Sequence, residues 1–387
     1  MKRLAVFGAT GSIGGTCAQV LARDPAKFDV VVLTGGRNLA RLAELARALS
    51  PRAVVIQDES DLAAMRALLS GMDIEVSAGR AALLDAARRP VDISLQAIVG
   101  FAGVETSLIA AAHADVVALA NKETMVCAGP MMRRACAQHA TTLLPVDSEH
   151  SALFQCLLGE KMPEVERMIL TASGGPFLNT PLAELHSVTP AQAASHPRWE
   201  MGMRISIDSA SLFNKAMEMI EARELFDIAP EKIEVVVHPQ SIIHSMIGFV
   251  DGAIMAHMGP PDMAGAIGYA LYYPDRCDAG LARLDFSALS RLDFQPPDAQ
   301  KFPALGLATK AMTLSGFAGT VFNAAKEQAL DLFLENRISF VDMSGLVEAA
   351  LDDYTRQKWG DAWSVEKLNS IDAQTRVFVT ETASKAF

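Results

Sequence analysis

Short apolar runs alternate with amphipathic stretches through the first third of the chain. Leu4 to Phe7, Phe28 to Thr34, Ala53 to Ile56, Ile93 to Val99 and Val116 to Ala120 have the length and the Val, Ile and Leu content of buried strands. Between them, Thr16 to Arg23, Leu39 to Leu49 and Ala63 to Leu69 repeat their apolar positions at the period of a helix with one buried face. Strands apolar on both faces and separated by helices predict a parallel sheet covered by helices. The run Thr141 to Pro145 closes this alternation. Farther on, Val235 to Met246 reads as a strand with a polar face made by His238, Gln240 and His244. A connector containing Gln295-Pro296-Pro297-Asp298 then leads to helical patterns at Pro303 to Leu314, Asn323 to Glu335, Asp342 to Tyr354 and Asp372 to Ala383. The expected fold class is α/β, with an α/β domain over 1–146, an α+β domain over 147–274, a connector over 275–300 and a helical domain over 301–387.

Composition and charge narrow the class of protein. A chain of 387 residues exceeds one ordinary core, and half of it is hydrophobic, which a disordered chain is not. Its 45 acidic and 34 basic residues leave a net charge of -11, which argues against nucleic acid as a partner. Cys17, Cys127, Cys136, Cys156 and Cys277 lie far apart, without a CxxC pair or zinc-ligand spacing, so reduced thiols in a cytoplasmic protein are expected. The apolar run near Met1 is too short for a signal-peptide core, and no stretch reaches about eighteen uninterrupted apolar residues, so no membrane partner is expected.

Leu4 to Phe7 is followed by Gly8-Ala9-Thr10-Gly11-Ser12-Ile13-Gly14 and then by a helical stretch. A strand, a glycine turn and a helix start let a pyrophosphate reach backbone N–H groups and the positive end of the helix dipole. The GxxGxxG spacing fits a plain strand-to-helix turn equally well. After the second strand comes Gly35-Gly36-Arg37-Asn38, with an arginine where an NAD site carries a carboxylate for the ribose 2'-hydroxyl. Arg37 favours a 2'-phosphate, hence NADPH, the alternative being a solvated loop arginine. Asn121-Lys122-Glu123 directly follows Val116 to Ala120, and ligands of open parallel sheets collect at such strand ends, although the same residues would also cap a helix.

The main concentration of chemistry is Pro145-Val146-Asp147-Ser148-Glu149-His150-Ser151, read with Asn214-Lys215-Ala216-Met217-Glu218. In an extended segment, Asp147 and Glu149 would present two carboxylates to one face with Ser148 turned away. On a helix, Asn214, Lys215 and Glu218 put an amide, an ammonium and a third carboxylate on one edge, with Glu221 a competing carboxylate one step farther. Oxygen ligands without a His/Cys cluster favour magnesium or manganese, and a lysine point charge suits a phosphate monoester. Leu170 to Phe177, with Ser173, Gly174 and Gly175, has the composition of an anion-wrapping turn or of a plain one. Ile205 to Ser211 puts Ser209 and Ser211 where a helix N-cap and a phosphate would both be served. His196-Pro197-Arg198-Trp199-Glu200-Met201-Gly202 reads as a lid over about 196–204, or as a surface loop with a half-buried tryptophan.

Taken in order, GATGSIG (Gly8 to Gly14), GGRN (Gly35 to Asn38), NKE (Asn121 to Glu123), PVDSEHSALFQ (Pro145 to Gln155), TASGGPF (Thr171 to Phe177), HPRWEMG (His196 to Gly202), ISIDSASLFNKAMEMIEA (Ile205 to Ala222) and HPQSIIHSM (His238 to Met246) resemble the 1-deoxy-D-xylulose 5-phosphate reductoisomerase family over nearly the whole chain. The resemblance implies a Rossmann-like NADPH domain, a central catalytic and dimerisation domain, a C-terminal helical domain and a homodimer. It implies that Asp147, Glu149 and Glu218 hold the magnesium or manganese ion and, with Lys122, carry the catalysis. Contacts with the sugar phosphate substrate are implied for Lys122, Ser148, Glu149, Ser173, His196, Ser209, Asn214, Lys215 and Glu218. NADPH contacts are implied for Thr10, Gly11, Ser12, Ile13, Gly36, Arg37, Asn38, Asn121, Glu123 and Gly202, and lid roles for Trp199 and Met201. The implied activity is conversion of 1-deoxy-D-xylulose 5-phosphate to 2-C-methyl-D-erythritol 4-phosphate in non-mevalonate isoprenoid biosynthesis.

The chain departs from the family pattern at three places. Arg198 stands for a small residue or amide, Ala216-Met217 stands for Gly-Leu, and the C-terminal NAANE pattern reads Asn323-Ala324-Ala325-Lys326-Glu327. Arg198 would bear on lid closure, and the other two read as packing changes on helices. A semialdehyde-type dehydrogenase would share GxxGxxG but needs a nucleophilic cysteine, while Cys127, Cys136 and Cys156 lie in apolar or helical contexts. An NADPH-responsive regulator would have no use for Asp147, Glu149, Glu218 and Lys215 together.

Overall fold

A computed structural model of the chain describes residues 1–195 and 202–386. The first elements are β1 (Lys2–Phe7), α1 (Ser12–Arg23), β2 (Phe28–Gly35), α2 (Leu39–Leu49), β3 (Ala53–Ile56), α3 (Leu62–Leu68) and β4 (Glu75–Ala78). Next come α4 (Gly79–Ala87), β5 (Val91–Gln96), α5 (Val104–Ala110), β6 (Ala114–Leu119), α6 (Lys122–His139), β7 (Thr142–Pro145) and α7 (Ser148–Cys156). The middle holds β8 (Val165–Ala172), α8 (Pro190–Ala193), α9 (Met203–Ala210), α10 (Phe213–Phe226), β9 (Ile233–Val237), β10 (Ile243–Phe249), β11 (Ile254–Met258) and α11 (Ala264–Tyr272). The chain ends in α12 (Ala304–Leu314), α13 (Ala318–Leu334), α14 (Asp342–Tyr354) and α15 (Val365–Ala386). Two compact units result: Met1–Thr124 with Pro130–Phe154 and Asp262–Ala282, and Met125–Gly129 with Gln155–Pro261 and Arg283–Phe387.

The first unit is built on a parallel sheet of order β4-β3-β2-β1-β5-β6-β7. Its inner strands are apolar on both faces: Leu4, Val6, Leu33, Val54 and Leu95 are buried in one core with Cys17 and Leu21 of α1 and Leu42 of α2, and Ala5, Phe7, Val32 and Val55, which alternate with them, are buried as well. Ile267 and Leu271 of α11 join the same core. The chain steps outward from β1 to β4 and then returns on the other side of β1, so the strand order reverses between β1 and β5. A crevice opens at the carboxyl ends of such strands. Gly8 sits there with φ +85, and a Cβ on it would stand 2.4 Å from the Ala97 carbonyl oxygen, so both conformation and space demand glycine. The strand expected to reach Val99 stops at Gln96, and β4, a half-exposed edge strand, has no apolar run to announce it.

The second unit holds a sheet of order β11-β10-β8-β9 and the helices α12 to α15. The single strand expected over Val235 to Met246 is instead β9, a turn and β10. At the turn, His238 Nε2 accepts from the Ile242 N–H at 3.1 Å, and Ser241 takes φ 52. His238 stacks on Phe294 with ring centroids 4.8 Å apart, and Gln240 Nε2 donates to Asp293 at 2.6 Å, so these residues secure a turn and form no polar strand face. Helices occupy all four C-terminal stretches where the pattern called for them. Residues 275–300 carry no helix or strand, only a bridge between Gln295 and Val237.

Pro130 interrupts α6: lacking an N–H, it deprives the Val126 carbonyl of its helical partner, and Ala128 leaves helical geometry at φ -137, ψ 21. The Met125–Gly129 stretch is met by α13, where Thr320 Oγ1 donates to the Cys127 carbonyl at 3.0 Å. A Cβ on Gly319 would lie 2.1 Å from the Val126 oxygen. Gly319→Ala is therefore expected to lower the unfolding free energy by about 1–3 kcal/mol in urea denaturation. Gly345→Ala in α14, where an added methyl meets nothing, serves as the control and is expected to be neutral or stabilising.

Candidate active site

In the first unit, candidate side chains from the sequence lie where β6 and β7 end. Lys122 opens α6, and Asp147 stands between β7 and α7. The extended geometry expected for Asp147 to Glu149 is not what forms. Asp147 caps α7: its carbonyl accepts from the Ser151 N–H at 2.8 Å and its Oδ1 from the Ser148 N–H at 3.0 Å. Glu149 therefore lies in the first helical turn, and the two acids do not share a strand face. Side-chain reach compensates, since carboxylate oxygens of Asp147 and Glu149 lie within 4.8 Å of each other. Ser148 Oγ donates to Glu149 Oε2 at 2.5 Å.

Lys122 Nζ lies 2.6 Å from Asp147 Oδ2, with the two side chains 12% and 15% exposed. Burial alone would raise the Asp147 carboxyl, but the ammonium of Lys122 outweighs it, aided by His150, and holds the group well below the usual carboxylate range. His150 is fully buried, with Nδ1 3.8 Å from Asp147 Oδ2. The result is an acid that stays ionised while largely removed from water, as a ligand for a hard cation must be.

Around the reversal of strand order, Gly11 precedes α1 without a side-chain cap, and Gly11 and Ser12 are exposed. Arg37 is exposed beyond β2, and Asn38 caps α2 by accepting from the Arg41 N–H at 3.1 Å. Asn121 caps α6 through the Thr124 N–H at 2.9 Å and donates to the carbonyls of Ile98 and Gly100 and to Glu123 Oε2. The capping reading of Asn121 thus holds in the structure: its amide braces the strand ends that frame the crevice.

In the second unit, Gly174 and Gly175 take φ +85 and +65 in succession, and a Cβ on Gly175 would lie 2.9 Å from the Ser209 carbonyl oxygen. The turn carrying Ser173 thus lies directly against the last turn of α9. Ser209 and Ser211 are not N-caps of α10. Ser209 lies within α9, and Ser211 Oγ donates back to the Ile207 carbonyl at 2.9 Å. The residue before α10 is Leu212, left-handed at φ 57 and without a side-chain cap. Asn214, Lys215 and Glu218 share one edge of α10 as the helical spacing requires. Asn214 Nδ2 donates to Glu218 Oε1 at 2.5 Å, and Lys215 Nζ donates to Glu218 Oε2. Lys215, Glu218 and Glu221 are all buried.

His196, Trp199 and Met201 lie outside the described residues, and Gly202 is the exposed N-cap of α9. Sequence reasoning missed Asp208 and Lys326, which form a buried ion pair in the second unit at 2.9 Å. The departure of Lys326 from the family pattern was the available signal. The cysteines offer no nucleophile of the dehydrogenase kind: Cys127 is buried, and burial raises the Cys136 thiol to about 11 and pushes Cys156 upward as well.

Comparison with known proteins gives one answer along the chain. Residues 4–129 match a family model described as 1-deoxy-D-xylulose 5-phosphate reductoisomerase, and residues 143–226 and 258–378 match models of reductoisomerase C-terminal domains. The 1-deoxy-D-xylulose 5-phosphate reductoisomerase of Ruegeria pomeroyi is 53% identical over 92% of this chain and 90% of its own. The reductoisomerase of Jannaschia sp. is also 53% identical, over 91% and 89%. Among solved structures, the reductoisomerase of Zymomonas mobilis in complex with NADPH superposes with a TM-score of 0.93 at 42% identity, covering 99% of both chains. A DOX-P reductoisomerase in complex with NADPH, fosmidomycin and magnesium gives 0.94 at 34% identity over 99% of this chain and 98% of that one.

The Lys122–Asp147 pair has a measurable signature. Because the Asp147 carboxyl is lowered in the folded protein, its contribution to stability is present above the ordinary carboxylate range and is lost as pH falls below about 4. Lys122→Met is expected to destabilise the metal-free protein at pH 7 by about 3 kcal/mol, with the difference from wild type narrowing below about pH 4 in urea unfolding.

Proposed function

The chain belongs to the 1-deoxy-D-xylulose 5-phosphate reductoisomerase family, and we propose that Asp147, Glu149 and Glu218 hold the divalent metal ion of its reaction. The enzyme rearranges and reduces 1-deoxy-D-xylulose 5-phosphate to 2-C-methyl-D-erythritol 4-phosphate with NADPH and a divalent metal, a step in isoprenoid precursor biosynthesis. The observation that carries the metal assignment is charge balance: Asp147 is paired with Lys122 and Glu218 with Lys215, so both acids are ionised donors despite their burial. All the donors are carboxylate oxygens, the set a hard cation takes.

Magnesium or manganese bound there supplies Lewis-acid polarisation of the ketose oxygens. NADPH supplies the hydride that reduces the rearranged aldehyde. The protein's own part is binding, orientation and charge stabilisation. Lys122 Nζ binds substrate oxygens beside Asp147, and its ammonium stabilises the negative charge that develops on oxygen as the carbon–carbon bond breaks and re-forms. Ser148 and Glu149 orient the substrate hydroxyls, while Ser173, Ser209, Asn214 and Lys215, with His196, hold its phosphate and neighbouring oxygens. The close approach of the Ser173 turn to Ser209 supports this grouping. Trp199 and Met201 serve as a lid that excludes water.

NADPH is assigned to Thr10, Gly11, Ser12 and Ile13 at the uncapped start of α1, to Gly36, Arg37 and Asn38 after β2, and to Asn121, Glu123 and Gly202. Arg37, exposed where a 2'-phosphate would lie, supports NADPH over NADH. Residues 1–146 form the NADPH-binding division, 147–274 the catalytic and dimerising one, 275–300 a connector and 301–387 a helical one. A homodimer is supported by β11, an edge strand that exposes Ile254 and Met255. Among the described residues no helix is long and apolar enough to cross a membrane, and we place the enzyme in the cytoplasm.

NADPH absorbance followed with purified protein and 1-deoxy-D-xylulose 5-phosphate tests the assignment. Consumption is expected only with magnesium or manganese, and Asp147→Asn is expected to lower kcat/KM by at least about a thousandfold. Metal-independent turnover, or an Asp147→Asn enzyme as active as wild type, would reject it.

A further inference from the structure

We propose that Lys326 is a positioning residue for the substrate phosphate: it locks α9 to α13 through Asp208 and cancels a carboxylate that would otherwise stand beside the phosphate held by Ser209. The inference rests on the phosphate role proposed for Ser209 and Lys215. Asp208 immediately precedes Ser209 in α9, and its Oδ2 lies 2.9 Å from Lys326 Nζ, the side chains being 14% and 6% exposed. A second ion pair joins the same helices, Arg204 to Asp331, one turn earlier on α9 and farther along α13. That pair is solvated and adds little energy, but with the buried one it fixes the orientation of α9 on α13. From the other side, the Gly175 backbone bears on the Ser209 carbonyl. Ser209 is thereby held between a glycine turn and a helix that cannot rotate without breaking a buried ion pair.

Electrostatics gives Lys326 its second effect. A phosphate monoester carries nearly two negative charges, and an uncompensated buried carboxylate on the residue next to Ser209 would oppose it through a medium that screens less than water. The neighbouring acid on α13, Glu327, is engaged by Arg376 at 2.5 Å, so acids and cations are matched in this layer. One turn before Lys326, Asn323 is wholly buried and its amide has no hydrogen-bond partner among the described residues, so this buried face of α13 carries two polar side chains. The family pattern places an amide where this chain has Lys326, so the dependence on a positive charge belongs to this chain.

The test uses full-length enzyme with NADPH and magnesium, reading KM for 1-deoxy-D-xylulose 5-phosphate, kcat, KM for NADPH and the inhibition constant of inorganic phosphate. Lys326→Met is expected to raise the substrate KM and the phosphate inhibition constant about tenfold, the size of one charge's influence at a partly desolvated site, with kcat and the NADPH KM within about twofold. Lys326→Arg is expected to behave as wild type. The Asp208→Asn/Lys326→Met double variant is expected to recover most of the phosphate affinity, because removing both charges removes the repulsion, which a purely structural role would not do. Lys326→Asn replaces the methionine variant if that protein fails to fold. Unchanged constants in Lys326→Met, or a loss that Asp208→Asn does not reverse, would overturn the proposal. Lys215→Ala separates the two levels: if it weakens phosphate inhibition and Lys326→Met does not, only the role of Lys326 falls. If Lys215→Ala also leaves inhibition unchanged, the phosphate assignment itself is wrong and Lys326 falls with it.

Discussion

A carboxylate taken out of water costs several kcal/mol unless a cation stands beside it, and otherwise it takes up a proton and ceases to be a metal ligand or a charge. The acids most closely tied to function here meet this constraint within their own compact unit. Asp147 has Lys122 at the start of α6, Glu218 has Lys215 on the same helix, and Asp208 has Lys326 on α13. Each pairing sets an ammonium beside a carboxylate that is largely removed from water. On the proposed assignment, Lys122 and Lys215 also supply affinity for a phosphorylated ketose. Their removal acts on stability and on binding together, so comparisons of KM, kcat and unfolding must be made on the same variants.

Local backbone geometry delivers these pairs. The parallel sheet reverses its order between β1 and β5, and Gly8 at that point admits the Ala97 carbonyl at a distance no side chain tolerates. One strand pair farther along, β6 and β7 end at Lys122 and Asp147, so the ends of parallel strands set the register of the ion pair. In the second unit, the corner between α9 and α10 is closed by Ser211 and by a left-handed Leu212, which swings Asn214 and Lys215 onto the first turn of α10. Pro130 plays a comparable part in α6, where it frees carbonyls that α13 then meets.

Much of this could be read from residue spacing. The helical edge of Asn214, Lys215 and Glu218 follows from a period that tolerates no other arrangement, and the alternating apolar runs yield the parallel sheet. Local patterns fail where a short segment has two conformations of similar cost. Asp147-Ser148-Glu149 continues a strand in its polarity, yet an aspartate at a helix start satisfies backbone donors that an extended chain would leave open. His238 and Gln240 alternate as on a strand but are spent on a turn with Asp293 and Phe294. Ser209 and Ser211 precede α10 in sequence and belong to α9 in structure. The pairing of Asp208 with Lys326 spans 118 positions and had no local signature beyond an unexpected lysine. The family resemblance identified the chemistry, whereas the structure shows which ammonium stands beside Asp147, Glu218 and Asp208.

The central proposal is that Asp147, Glu149 and Glu218 hold one divalent metal ion. Titration of Mn2+ into the NADPH-saturated enzyme, followed by the EPR signal of the free ion, measures this without turnover. The account predicts one Mn2+ per chain in the wild type and an affinity lower by at least about a hundredfold in each of Asp147→Asn, Glu149→Gln and Glu218→Gln, with NADPH binding unchanged. Equal Mn2+ affinity in the wild type and any one of these variants would contradict it.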